Sequence, residues 1–65
     1  MQTSITLLKR AQASHAAGDL PSAISLYETA LRGDPRNYAA NYLLAIALYQ
    51  AGQPGRSIRY FDAAI

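Results

Sequence analysis

An internal period constrains this chain more than any other feature. Gly18 opens the stretch Gly18-Asp19-Leu20-Pro21-Ser22-Ala23, and Gly52 opens a similar one thirty-four residues later. The same shift lays Ala11 on Ala45, Ala13 on Ala47, Ala17 on Ala51 and Ile24 on Ile58. It also lays Tyr27 on Phe61, Glu28 on Asp62, Ala30 on Ala64 and Leu31 on Ile65. A unit that recurs at such a period cannot bury its apolar face alone and has to stack on its neighbour.

Each unit reads as two helices. Thr3 or Ser4 can cap a first helix, where a side-chain oxygen accepts an orphan amide proton. Ile5, Leu8, Ala11 and His15 then recur at helical spacing to about Ala17, and Gly18 suits the left-handed residue that ends a helix. Pro21 fits the start of a second helix, where its missing N–H is tolerated. Ala23, Leu26, Tyr27, Ala30 and Leu31 form its apolar face, with Glu28 and Arg32 in the favourable i,i+4 order on its surface. Gly33-Asp34-Pro35 stops it. Asn37 can cap a third helix, Gly52 ends it, and a fourth carries Ile58, Phe61, Ala64 and Ile65 on one face. The predicted helices are 4–17, 21–33, 38–51 and 55–65. No stretch alternates with the period of two that a strand needs. The loops are short enough to demand antiparallel neighbours, so the fold class is all-α.

The residues at the repeat positions resemble the tetratricopeptide repeat family. That family carries W-x2-L-G-x2-Y on its first helix, then A-x3-F and a later Pro, at a period of about 34 residues. Here the second-helix part is Ala23-x3-Tyr27, Ala30 and Pro35, and in the second copy Ser57-x3-Phe61 and Ala64. The first-helix part is Leu7-x2-Arg10-Ala11-x2-Ser14, then Asn41-x2-Leu44-Ala45-x2-Leu48. Ala11, Ala45, Ala23 and Ser57 stand where this family lets helices approach closely. Arg10 and Ser14 depart from its apolar pattern, as suits an end unit. The resemblance implies a right-handed α-solenoid, with repeat 1 at about 4–37 and repeat 2 at about 38–65, the latter truncated before its closing Pro. The structural core of the repeats is expected at Ala11, Gly18, Ala23, Tyr27, Ala30, Pro35, Ala45, Gly52, Phe61 and Ala64. Tyr27 and Phe61 are expected in the core. With Met1 at the start and the pattern cut at Ile65, residues 1–65 read as one repeat domain from the N-terminal part of a longer protein.

Bulk properties remove several kinds of function. A chain of 65 residues without cysteine has no disulfide and no Cys-based zinc site. His15 is the only histidine and has no nucleophile or carboxylate at a catalytic spacing. Asp19, Glu28, Asp34 and Asp62 suggest no carboxylate pair. Gly52-Gln53-Pro54-Gly55 lacks the Lys-Ser/Thr of a phosphate loop. No enzyme, cofactor or metal site is expected in this segment. The net charge of +2 comes from scattered basic pairs, whereas nucleic-acid binding needs a concentrated stripe. The apolar run 38–51 is shorter than the roughly 20 residues that span a bilayer. With no signal-peptide design at the start, a cytoplasmic setting is expected. Five arginines against one lysine hint at a bacterial, GC-rich source.

By the resemblance, the first helix of each repeat lines a concave surface. Its candidate binding residues are Ile5, Leu8, Gln12 and His15 in the first copy and Ala39, Tyr42, Ile46 and Tyr49 in the second. Tyr42 and Tyr49 offer apolar rings with polar tips, which suits peptide recognition, or else pack on a following repeat or a second copy. Some family members grip acidic peptide tails with Lys, Arg and Asn on these helices. The corresponding positions here are Leu8, Gln12, Tyr42 and Ile46, so an apolar or mixed peptide is the expected guest. The leading expectation is a protein-interaction scaffold with a protein or peptide partner. Two alternatives stand beside it: a substrate-positioning domain of a larger enzyme such as a glycosyltransferase, and a self-assembly module that forms a homo-oligomer through its C-terminal helix.

Overall fold

The structure is a computed structural model that describes residues 4–65. It holds four helices, α1 (Ser4–Ala16), α2 (Leu20–Gly33), α3 (Tyr38–Gln50) and α4 (Pro54–Ala63), and no strand among the described residues. Each helix packs on the one before it, α1 on α2, α2 on α3 and α3 on α4. The result is two helical hairpins side by side. Their Cα envelope measures 32 × 25 × 13 Å, so the thinnest dimension is little more than one helix diameter. No helix is surrounded, and each keeps a face in water.

The turns follow from local chemistry. Gly18 and Gly52 have φ of +83° and +81°, the left-handed region that side chains disfavour. Around each, the amide of the glycine donates to the carbonyl three residues back, Gly18 to His15 and Gly52 to Tyr49. The next amide reaches five residues back, Asp19 to Ser14 and Gln53 to Leu48, both at 2.9 Å. This paired pattern satisfies the last carbonyls of α1 and α3 and turns the chain back. The end of α2 is different. Asp34 precedes Pro35 and adopts φ −149°, because the proline ring disfavours a helical residue before it. Two side chains cap the following starts. Asp19 Oδ1 accepts from the Ser22 amide at 3.3 Å, and Asn37 Oδ1 from the Ala40 amide at 2.9 Å.

The core is thin and built largely of alanine. Ala11, Ala23, Tyr27, Leu44, Ala47 and Leu48 form one contiguous cluster, all fully buried. Ala30, Ala40 and Ala45 are equally inaccessible. Small residues let the helix axes come close, and Tyr27 fills the remaining volume. Ser57, the counterpart of Ala23, is also buried, and its hydroxyl donates to the Pro54 carbonyl at 2.7 Å. Asn41 is the other buried polar residue. Its Nδ2 donates to the carbonyls of Pro35 and Asn37, at 3.2 and 3.0 Å, and straps the loop between the hairpins onto α3.

Several sequence expectations need correction. Helix α2 begins at Leu20, whose side chain packs on the core, and α4 ends at Ala63. Thr3 lies outside the described residues, and Ser4 is the first residue of α1. Glu28 does not pair with Arg32; its carboxylate turns to Arg56 of α4 instead. Phe61 is half-buried rather than core, because none of the described helices packs on the outer side of α4. Tyr60, its neighbour, is the α4 aromatic that packs on the cluster. Gly18, Pro35 and Gly52 are exposed turn residues, and Ala64 is half-buried at the end of α4. Ile65 is 96% exposed.

Candidate functional site

The eight candidate binding residues all lie on α1 and α3, the leading helices of the two hairpins. None is fully buried. Ile5, Gln12, Ala39, Tyr42 and Tyr49 are exposed, and Leu8, His15 and Ile46 are half-buried. Two of these large apolar side chains stand well out, Ile5 at 67% and Tyr49 at 65% exposure. None of the eight carries a fixed charge, and α3 has no Asp, Glu, Lys or Arg anywhere along it.

His15 joins the two helices. Its Nε2 meets Gln50 Oε1 of α3, and its Nδ1 lies 3.3 Å from the Tyr27 hydroxyl of α2. The His15 and Tyr27 rings meet edge to face, 6.1 Å apart at 77°. The amide oxygen of Gln50 can only accept, so Nε2 carries the ring proton. In the neutral ring Nδ1 is then an acceptor, and the Tyr27 O–H donates to it. Burial pushes the Tyr27 phenol above its ordinary pKa of 10.0, which keeps that donor protonated. Gln50 is absent from the residues the period selects. It lies thirty-five residues after His15, and a shift of thirty-four lays it on Ala16 instead.

Tyr42 looks another way. Its ring meets Phe61 of α4 edge to face, 6.1 Å apart at 68°, while the residue stays 52% exposed. It therefore belongs to the open α3–α4 surface as well as to the α1–α3 face. Ile58, 60% exposed, and Ile65 lie on α4 and just beyond its end.

The opposite helices carry a second joint. Arg56 Nη2 of α4 lies 3.3 Å from Glu28 Oε2 of α2, and Arg56 Nη1 donates to Gln53 Oε1 at 2.9 Å. Beside it Glu28, Leu31, Arg32 and Tyr60 line an open depression of about 250 Å³.

No cluster of three His, Cys, Asp or Glu residues capable of holding a metal occurs among the described residues. No helix among them is long and apolar enough to cross a membrane. A family model described as Tetratricopeptide repeat matches residues 14–65, which takes in the last turn of α1 and all of α2, α3 and α4. Neither a curated protein nor a solved structure matches the chain.

Proposed function

The chain belongs to the tetratricopeptide repeat family, and on that premise we propose that it is a protein-interaction scaffold whose α1–α3 face takes an apolar or mixed peptide segment of a partner. Repeats of this family are generally non-catalytic binding modules. The observation that carries the proposal is the exposure of Tyr49 and Ile5, flanked by half-buried Leu8 and Ile46, with no charge on any of the eight candidate residues. Aromatic and aliphatic side chains held open to water on rigid helices release water when a partner covers them. A tyrosine adds a hydroxyl that can select for orientation. An acidic tail finds no cation among Leu8, Gln12, Tyr42 and Ile46.

A selection of random displayed peptides on the purified chain tests this reading. Enriched peptides should be rich in Leu, Ile, Phe or Trp, and Tyr49→Ser should weaken their binding by on the order of tenfold or more, as truncating an aromatic anchor does. Enrichment of acidic peptides, or binding indifferent to Tyr49→Ser, would refute it.

A second reading, self-assembly, is favoured by a different observation. Ile58 and Ile65 are exposed on α4 and just beyond its end, where half-buried Phe61 meets exposed Tyr42 of α3, so the last helix offers an apolar surface of its own. Its test is sedimentation over a range of concentrations, where Ile58→Glu should shift an oligomer to monomer. A monomer at every concentration removes this reading and leaves the first untouched.

A further inference from the structure

By the thirty-four-residue period, Ile58, Phe61 and Ile65 correspond to Ile24, Tyr27 and Leu31 of α2. On α2, Tyr27 is fully buried, and Ile24 and Leu31 are half-buried against the core cluster. The counterparts on α4 and just beyond it stand open, with Ile58 60% exposed, Phe61 half-buried and Ile65 96% exposed. Helix α3 packs on α2, whereas none of the described helices packs on the outer side of α4. One packing surface is therefore built twice and covered once. Tyr42, edge to face with Phe61 and itself exposed, extends the open patch onto α3.

A second copy has two ways to cover this patch. In a head-to-tail stack, its α1 takes the place on α4 that α3 takes on α2. The residues of α3 that join Tyr27 in the core cluster are Leu44, Ala47 and Leu48. One period earlier, α1 carries Arg10, Ala13 and Ser14. A guanidinium and a hydroxyl would then meet Phe61 in place of two leucines, and burying such groups in an apolar contact is costly. The outer side of α1 is thus a poor match for the surface that α4 leaves open.

The α4 surface matches itself instead. In an isologous pair each copy offers the same patch, and the contact closes on two copies. Two antiparallel α4 helices centred on Phe61 set Ile58 of one copy near Ile65 of the other. Such a two-fold also sets each flank of the helix against its own counterpart. The flank beside Ile58 carries Arg59 and Asp62, both exposed and opposite in charge, so each cation faces the anion of the other copy.

We propose that the chain pairs with a second copy of itself as a closed two-fold dimer, with α4 antiparallel against α4, and not as a head-to-tail filament. This pairing rests on the self-assembly reading above and gives it a geometry. It leaves α1 outside the contact.

Sedimentation of the full chain over a range of concentrations should show a monomer–dimer equilibrium with no larger species. Ile58→Glu sets a carboxylate in the apolar contact and should weaken the dimer on the order of tenfold or more. Its helical circular dichroism should be unchanged, because the site is exposed. Arg59→Asp and Asp62→Arg each bring like charges together at two symmetric places. At low salt each should weaken the dimer by roughly fivefold or more. Mixed in equal amounts, the two variants should pair with each other and recover most of the lost affinity. Species that grow past the dimer overturn the two-fold pairing and leave self-assembly standing. So do charge reversals that leave the dimer unchanged, or a mixture that recovers nothing. A monomer at every concentration overturns both.

Discussion

Arg56 of α4 and Glu28 of α2 meet at 3.3 Å, across the joint between the two hairpins. The contact is local to neither repeat. It joins equivalent helices of successive units on one side, as His15 and Gln50 join α1 to α3. Both partners are substantially exposed, with side-chain accessibilities of 50% for Arg56 and 36% for Glu28. Exposed ion pairs contribute about 0–1 kcal/mol and are screened by salt. Arg56→Ala should therefore lower stability by less than about 1 kcal/mol. The loss should shrink further in molar salt, as denaturant melts of the two chains at low and high ionic strength would show.

Tyr27 is the opposite case. It is the largest side chain in the core and is fully buried. Replacing it with alanine removes the filler from a cluster of small residues that cannot close the gap, so the loss should be about 3–5 kcal/mol. For a chain of this length that is comparable to the whole stability, and the cooperative melt should disappear. A Tyr27→Ala chain that keeps its melt would contradict the placement of this ring.

The same residue sets an alkaline limit. Burial raises the folded pKa of Tyr27 above the unfolded value of 10.0. The folded state therefore holds its proton where the unfolded state has lost it. The contribution is fully present below pH 10.0 and declines as pH rises through the folded value. Titrating the unfolding free energy upward from neutral pH should show this decline, and Tyr27→Phe should lessen it.

Gly18 and Gly52 offer a cleaner test of backbone effects. A Cβ added at either would meet nothing within 4 Å, so sterics outside the residue itself play no part. The positive φ alone should make Gly18→Ala and Gly52→Ala each destabilising by about 1–2 kcal/mol. Chemical denaturation of the two variants measures this, and near-neutral substitutions would mean that the turns are built otherwise.

These cases show where the sequence speaks and where it falls silent. Gly18, Gly52, Pro21 and Asn37 act within a few residues, so their roles can be read from the chain directly. Ala11, Ala23, Ala45 and Ser57 can be read because the period repeats the close approaches along with the helices. The Glu28–Arg56 and His15–Gln50 contacts cannot. Each depends on how the hairpins are set against each other, and neither pair is separated by thirty-four residues. Phe61 misleads for a related reason. The period equates it with Tyr27, but Tyr27 is covered by the following hairpin and Phe61 has no such cover. On the α1–α3 face, the candidate residues could be chosen from the repeat, whereas the turn of Tyr42 toward Phe61 depends on the packing of α4.

The most direct test of the central claim is to add a selected apolar peptide to the isotopically labelled chain and map the amide and side-chain shifts. Binding at the α1–α3 face predicts that the largest changes fall on Leu8, Gln12, Ile46 and Tyr49, with α2 and the outer side of α4 little affected. Changes concentrated around Glu28, Leu31, Arg32 and Tyr60, or on Ile58 and Ile65, would contradict it.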